Sequence, residues 1–284
     1  MASTRIIRRR IRSIKNIAKI TKAMEMIAAS KMKKAQERGL AGRPYSEKIS
    51  QVIADLAALP EVRLQHPLLQ QRPVGRIAVV HITPDRGLCG GLNGNINRRT
   101  GGFILEQQVP VTAIAVGRKG RDFMARAGID IRAEFANLGD QPGFLDTLPI
   151  SHIIIDDYNA GAIDQVYLSY ARFINTTLQS PVLEQLLPVQ PAQIPQAQNV
   201  DYIYEPSPQD VLGSLLPRFV EMQVYHAILE SIASEQSARM VAMRSATDNA
   251  NELIGDLTLE YNKARQESIT DELLDIVGGV AALD

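Results

Sequence analysis

From Arg218 to Val277 the chain contains no proline and a single glycine, Gly255. Read as one helix at 1.5 Å per residue, this stretch would be on the order of 90 Å long. Few domain cores are that wide, and a long helix in water needs something to lie against. That requirement governs how the rest of the chain can fold.

The other terminus supplies a mate. Residues 3–38 also lack glycine and proline. Ile7, Ile11, Ile14, Ala18, Thr21, Ala28, Met32 and Ala35 recur at alternating spacings of four and three, with Glu25 interrupting. This is the stripe of a helix paired with another helix. Ile17, Ile20, Met24 and Ile27 widen the apolar side beyond what a two-stranded seam needs. Gly39, Gly42 and Pro44 predict a loosened joint. The helix is then expected to resume from Tyr45 to about Leu59, with Ile49, Val52, Ile53 and Leu56 on one face and Pro60 ending it. On the long C-terminal helix, Ala242, Ala246, Ala250, Leu253, Leu257 and Ala264 read as the matching seam, whose small residues permit close approach.

Charge supports the pairing. Lys+Arg and Asp+Glu each total 31, yet residues 1–38 hold twelve bases and two acids, whereas residues 221–284 hold four bases and twelve acids. Arg8, Arg12, Lys15, Lys19 and Lys22 form a basic stripe. Asp248, Glu252, Asp256, Glu260, Glu267 and Asp271 form an acidic one. Two amphipathic helices of opposite charge are expected to pair antiparallel, in a left-handed coil, with the basic stripe paired along the coil or against an acidic protein. The C-terminal helix then overruns its mate by some 25 residues, roughly 35–40 Å. The overhang carries Ile269, Leu273, Leu274, Ile276 and Val277, an aggregation hazard unless another molecule encloses it.

The middle differs in kind. Residues 76–83, 111–116 and 151–155 are β-branched runs. Helix-like segments fall near 95–108, 118–127 and 162–178, and 182–189 and 200–204 read as further strands around a Pro/Gln linker at 191–199. Strand and helix in alternation predict an open α/β sheet. The expected fold is therefore α/β plus a long antiparallel coiled coil, its terminal helices paired and its central domain an open, Rossmann-like sheet. The expected divisions are 1–59, 73–206 and 208–284, with Pro206–Asp210 capping the last helix.

Signals for chemistry are weak. The turn Asp85-Arg-Gly-Leu-Cys-Gly-Gly-Leu-Asn-Gly94 follows a strand and precedes a helix, where phosphate loops sit. It matches neither the Walker pattern nor Gly-x-Gly-x-x-Gly, so a tight strand-to-helix turn is the favoured reading. Cys89, the sole cysteine, has no nameable base and reads as a packed thiol; one thiol makes no internal disulfide, which fits a reducing compartment. Asp156-Asp157 closes a strand-like run and could bind a metal, but two acids are weak evidence and capping or solvation is the favoured reading; the four histidines, His66, His81, His152 and His226, show no ligand spacing. No cofactor is expected. The start has no apolar leader segment, and no apolar run reaches the ~18 residues of a membrane span. The basic stripe could meet nucleic acid, but it lacks interleaved aromatics.

Three segments carry a family resemblance: Ile17-Ala-Lys-Ile-Thr-Lys-Ala-Met-Glu-Met-Ile-Ala-Ala-Ser-Lys-Met32 with Arg43-Pro-Tyr45; Asp85-Arg-Gly-Leu-Cys-Gly-Gly-Leu-Asn93; and Ser234-Glu-Gln-Ser-Ala-Arg-Met-Val-Ala-Met243 with Ser245–Ala250, Tyr261–Gln266 and Ile269-Thr270. Together they resemble the gamma subunit of the F-type ATP synthase, its central rotor shaft, in a bacterial form without the chloroplast cysteine insertion. Pro84 and the glycines Gly94, Gly101 and Gly102 depart from the family's usual pattern. The resemblance implies a non-catalytic shaft turning inside a head of alpha and beta subunits. It also implies a foot on the membrane ring of proton- or sodium-driven subunits and an epsilon subunit alongside, with no nucleic acid and no membrane span of its own. The place implied is the cytoplasmic face of the bacterial membrane. Met24, Lys31 and Arg239 would then meet the moving beta lever. Arg265, Gln266, Thr270 and Glu272 would meet the head higher up, and Tyr202, Tyr204 and Glu205 would face the ring. The competing readings are a coiled-coil scaffold or nucleic-acid adaptor, which predicts salt-sensitive duplex binding, and an α/β enzyme with helical arms, which requires a ligand at the 85–94 turn.

Overall fold

The computed structural model describes residues 4–57, 66–190 and 204–281. The chain forms two compact units, one of Met1–Ala28 with Met240–Asp284, the other of Ala29–Arg239. The division falls inside the two long helices, α1 (Thr4–Ala57) and α5 (Pro208–Ala281).

The first unit is a helix pair. Thr21 Oγ1 lies 2.7 Å from Thr247 Oγ1, and Arg244 Nε donates to Glu25 at 3.0 Å. A step of four forward on α1 thus meets a step of three backward on α5, so the helices run antiparallel. Ile7, Ala18, Thr21, Glu25 and Ala28 are buried on α1, which matches the four-three stripe read from sequence. On α5 the buried positions are Met240, Met243, Thr247, Ala250 and Leu257. The seam there is rotated from the expected one: Leu253 is 47% exposed, while Ile254 turns inward. Ala250 and Leu257 are common to both seams, but Met243 and Thr247 take the buried face in place of Ala242 and Ala246, because the larger side chains remove more area from water. Beyond Ala264 the described helix is almost wholly exposed. Among the described residues the unpaired end is about 17 residues, roughly 25 Å at the helical rise, against the roughly 25 residues expected from sequence.

The second unit is a five-stranded sheet in the order β3-β2-β1-β4-β5. Its strands are β1 (Ile77–Ile82), β2 (Val111–Val116), β3 (Asp130–Phe135), β4 (Gln165–Phe173) and β5 (Gln179–Leu187). The first four pair in parallel and β5 closes the sheet antiparallel to β4. The helices between them are α2 (Leu92–Glu106), α3 (Arg118–Arg126) and α4 (Phe144–Asn159). All six residues of β1 are buried, as a central strand covered on both faces must be. One core joins α4, the later turns of α1 and the first turns of α5, through Ile53, Leu56, Ile154, Tyr158, Leu216 and Val224. Cys89, Leu92, Ile96 and Ala171 form a smaller cluster around α2.

Three sequence expectations fail here. Residues 151–155 are helix, not strand, because they lie inside α4. Its buried residues Ile150, Ser151, Ile154, Ile155 and Tyr158 follow a helical period, and that packing overrides the β-propensity of three adjacent isoleucines. Residues 162–178 are not helix: β4 and the following turn occupy them. Val166, Leu168 and Tyr170 enter the main core, while Ala171 enters the smaller one, so the period is two. The joint at Gly39–Pro44 is absent, since α1 is continuous through Pro44. Gly42 instead permits close packing, because a Cβ there would come within 2.6 Å of His226 Cε1. Burial of Ile49, Ile53 and Leu56 offsets the proline's cost and keeps the second half helical.

β3 went unread in the sequence because Asp130, Arg132 and Glu134 point to solvent from an outer strand and lower its β-propensity. Ser207 caps α5 as expected: its Oγ accepts from Asp210 N–H at 3.2 Å. The linker at 191–199 and most of 200–204 lie outside the described residues; Tyr204, which is described, is not in a strand.

Candidate functional site: the helix pair and the turn beneath α5

Two sets of residues bear on function. The first is the surface of the helix pair. Ile17, Ile20 and Ile27 are 48%, 59% and 54% exposed, with Met24 half-buried between them and the seam. They share one face of α1, offset from the buried stripe by one position. At the far end of α5, Ile269, Leu273, Leu274, Ile276 and Val277 are all exposed. Arg265, Gln266, Thr270 and Glu272 are exposed in the same stretch, and Thr270 Oγ1 donates to Gln266 O at 2.9 Å.

Of the two expected outcomes, charge pairing along the coil is not formed among the described residues. Among the described residues no ion pair joins the basic stripe of α1 to the acidic stripe of α5. The inter-helix pair that does form, Glu25–Arg244, has the opposite polarity. Arg8, Arg12, Lys15 and Lys19 lie one position past the seam and face solvent, as do Asp248, Glu252, Asp256 and Glu260. Holding long exposed side chains in place gains little. Both stripes therefore remain available to other molecules.

The second set lies in the sheet unit, where α5 crosses the carboxyl ends of the strands. Ser234 Oγ donates to Ala171 O near the end of β4, at 2.9 Å, and Ser237 Oγ to Thr176 O in the turn after it, at 2.8 Å. Arg239 Nη2 donates to Gly87 O at 3.2 Å and pairs with Glu235 at 2.6 Å. Their side chains are only 11% and 15% exposed. Burial raises the Glu235 carboxyl, against the pull of Arg239. In the loop after β3, Asp140 accepts from Lys31 at 2.6 Å and from Gln236 at 3.2 Å, and Arg38 donates to Gln141 at 2.8 Å. Lys31 and Arg239, expected as outward contacts, are thus engaged within the chain.

The crevice outside the carboxyl ends of a parallel sheet is where open α/β folds bind their ligands. Here α5 fills it. What remains is a cavity of about 50 Å³, with Thr83, Asp85, Asn137, Ser231 and Glu235 among its lining residues. That is far below the several hundred Å³ of a small-molecule site.

The turn at 85–94 has structural tasks instead. Asp85 accepts the N–H groups of Arg118 and Asn137, both at 3.0 Å, and so caps α3 and ties it to the loop after β3. Leu88 and Gly90 take left-handed conformations, at φ 63° and 58°. Cys89 is buried, accepts from Asn93 Nδ2 at 3.3 Å, and has its thiol pKa raised by burial.

Sequence reasoning missed a buried polar chain beside this turn. His81 Nε2 lies 2.9 Å from Asn97 Oδ1 and its Nδ1 lies 3.0 Å from Thr100 Oγ1, which also meets Ser169 Oγ. The chain stitches β1, α2 and β4 together. Desolvation lowers the imidazole pKa to about 4, so it is neutral at pH 7. The signal was a histidine inside a β-branched run, a position that only a fully hydrogen-bonded ring can occupy.

The other titratable groups are equally local. Asp157 holds Arg132 through two hydrogen bonds, and His66 Nδ1 accepts from Leu68 N–H. No cluster of three or more metal-ligating side chains occurs among the described residues. No helix among them is long and apolar enough to cross a membrane. Tyr204 packs against the main core, Glu205 is exposed, and Tyr202 lies outside the described residues.

A helix pair with an uncovered apolar face, and a Rossmann-like sheet sealed by its own C-terminal helix, invite comparison with known proteins. The sequence family described as ATP synthase matches residues 3–283. The ATP synthase gamma chain of Dehalococcoides mccartyi (strain ATCC BAA-2266) is 72% identical over 284 residues, covering all of both chains. The chain belongs to the ATP synthase gamma chain family. The gamma chain of Roseiflexus sp. (strain RS-1) is 51% identical over 287 residues, covering 100% of this chain and 99% of that one. Among solved structures, a chain from the central stalk and c-ring of the Tetrahymena thermophila mitochondrial ATP synthase is 27% identical. It aligns with a TM-score of 0.63 over 80% of this chain and 99% of that one. A chain from the Euglena gracilis mitochondrial ATP synthase, in an assembly of OSCP, F1 and c-ring, shares the fold at a TM-score of 0.71 and 21% identity, over 99% and 94% of the two chains.

For a member of the gamma family, the seven residues assigned to the head from sequence fall into two classes. Arg265, Gln266, Thr270 and Glu272 lie on open surface of the helix pair, with Met24 half-buried at the edge of its apolar face. Lys31 and Arg239 brace the loops at the carboxyl edge of the sheet.

Proposed function

We propose that this gamma chain is the central stalk of an F-type ATP synthase, turning within a head of alpha and beta subunits and coupling ion flow through a membrane c-ring to ATP synthesis or hydrolysis. The observation that carries the reading is the uncovered apolar surface of the helix pair: Ile17, Ile20 and Ile27 on α1, and Ile269 to Val277 on α5. A sleeve formed by another protein removes that surface from water. In this reading the helix pair is an asymmetric part that biases several two-state nucleotide sites in turn. The chain itself performs no chemistry, in keeping with the crevice that α5 occupies. The epsilon subunit stands beside it, and the assembly is peripheral to the cytoplasmic face of the membrane.

Met24, on the open face of α1, is assigned to the beta lever. Arg265, Gln266, Thr270 and Glu272 are assigned to the upper head, and Tyr202, Tyr204 and Glu205 to the ring. Lys31 and Arg239 reach the beta subunit only by giving up part of their internal contacts, so their primary assignment is to hold the sheet's loops. The labour divides as 1–59 and 208–284 for the shaft and 73–206 for the foot.

Co-expression with alpha and beta subunits tests the reading. Recovery at a fixed ratio with them is expected; recovery of the chain alone overturns it. In the assembled enzyme, Met24→Lys adds a cation at the lever contact and lowers the ions moved per ATP while leaving the melting temperature of the chain unchanged. Normal pumping by that variant removes Met24 from the contact.

A further inference from the structure

A seam of apolar side chains holds helices together but fixes their register poorly. Ala18, Ala28, Met243, Ala250 and Leu257 are buried between α1 and α5 and carry no strongly directional group. A one-turn slip sets such residues against others of the same kind. Two layers of the seam are different.

In the first layer, Thr21 Oγ1 and Thr247 Oγ1 meet at 2.7 Å. Each hydroxyl also reaches a carbonyl of its own helix: Thr21 that of Ile17 or Ala18, Thr247 that of Met243. Each has one proton, so one hydroxyl bonds its own helix and the other donates across the seam. In the second layer, Glu25 accepts from Arg244 Nε at 3.0 Å and from Lys22 Nζ at 3.0 Å. Glu25 is 6% exposed at a position where the spacing calls for an apolar residue. Lys22 and then Arg244 hold its carboxyl below the ordinary carboxylate range, so it carries its charge at neutral pH.

Only the Glu25 end of the ion pair is buried, since the Arg244 side chain is 61% exposed, so the pair is a poor source of stability, but a polar group at a seam position is a well-attested way to select register. The neighbouring residues make the selection sharp. Sliding α5 by one turn in one direction places Asp248 opposite Glu25, carboxylate against carboxylate. Sliding it the other way places Met240 there and leaves the charge without its arginine. Neither slip preserves the threonine contact.

We propose that Glu25, with Arg244 and the Thr21–Thr247 pair, are positioning residues that lock the register of the two helices, so that a twisting load on one helix is carried by both. The structural half of this claim stands on the seam alone; the mechanical half rests on the stalk reading above.

The test uses paired cysteines. Continuing the register by one layer sets Ala18 against Ala250, and a one-turn slip sets Ala18 against Ile254. Ala18→Cys is combined with Ala250→Cys or with Ile254→Cys, and disulfide yield is read both in the isolated chain and in the enzyme assembled with alpha and beta subunits. Cys89 is buried and stays in place. With Glu25 present, the 18/250 pair closes and the 18/254 pair does not. Glu25→Gln raises the 18/254 yield by about fivefold at the expense of 18/250, the population shift expected when one register loses its preference. Thr247→Val moves the yields the same way by a smaller factor. In the reconstituted enzyme Glu25→Gln roughly halves the ions moved per ATP, and closing the 18–250 disulfide restores the ratio, a rescue that a general loss of stability would not give. Unchanged cross-linking in both variants overturns the lock. A shifted register with an unchanged ion-to-ATP ratio overturns its mechanical role. Failure to assemble with alpha and beta subunits in every background strikes the stalk reading instead, and the isolated-chain cross-links still decide the register.

Discussion

The two units of this gamma chain solve opposite problems with partly shared helices. In the unit of residues 29–239, a mostly parallel sheet is covered by helices, and Ile77, Ile114, Ile154, Tyr158 and Leu187 are buried almost completely. Among the described residues of the helix pair, Ile7 alone ranks with the largest fully buried side chains, while isoleucines and leucines along α1 and at the end of α5 face solvent. The first arrangement completes its core within one chain. The second cannot, because two helices enclose only a narrow stripe and leave the other faces open. A chain that keeps apolar residues on those faces is built to be finished by a partner.

That contrast yields graded expectations. The largest effect belongs to Gly117, at φ 92° between β2 and α3, where a Cβ would sit 1.9 Å from Thr83 O. Gly117→Ala is expected to cost at least about 4 kcal/mol, since both the backbone conformation and the strand spacing must give. Urea unfolding followed by far-UV circular dichroism should show the sheet unit lost; a midpoint near wild type would mean the two-strand edge is far more pliant than its burial implies.

His81 comes next. Its folded pKa of about 4 lies below its ordinary value of 6.5, so the unfolded chain binds the extra proton between those values. Stability is therefore full above pH 6.5 and falls as pH drops towards 4, by up to about 3 kcal/mol at 1.36 kcal/mol per unit. His81→Gln should flatten that part of a stability–pH profile. A profile of unchanged slope assigns the acid sensitivity elsewhere.

In the helix pair the sensitive direction is towards bulk. Ala28 is 1% exposed in the seam, and Ala28→Leu should cost roughly 1–3 kcal/mol by forcing the helices apart, read as a lower melting temperature. No loss would mean the pair opens freely and is held by something other than close packing. The smallest effect on the isolated chain belongs to the tip. Leu273→Gln with Leu274→Gln should change its stability by no more than about 0.5 kcal/mol, since both side chains already face water. The same pair should weaken recovery with alpha and beta subunits. A large loss of stability in the isolated chain would show that the tip packs against its own protein.

The helices and their pairing were readable in advance because a four-three spacing over many turns repeats the same instruction. Short segments lacked that redundancy. Ile153, Ile154 and Ile155 satisfy a strand propensity and a helical burial period equally well, and only the surrounding core chose the helix. Residues 165–173 were misread in the opposite sense, because Val166, Leu168 and Tyr170 declare a period of two only once both faces of the sheet are covered. At the candidate site, Met24 and the tip residues were legible as open surface. The inward commitment of Lys31 to Asp140 and of Arg239 to Gly87 was not, since neither partner is near in sequence.

By itself, then, the order of residues determined that two long amphipathic helices flank an α/β sheet and leave apolar surface for another molecule, because periodicity is a local property that repeats. The tertiary structure alone decided that the ligand crevice of the sheet is filled by α5, that the opposite-charge stripes do not meet, and that Glu25 faces Arg244. Each of these depends on which residues distant in the chain are brought within a few ångströms of each other, and that is set by packing rather than by any local pattern.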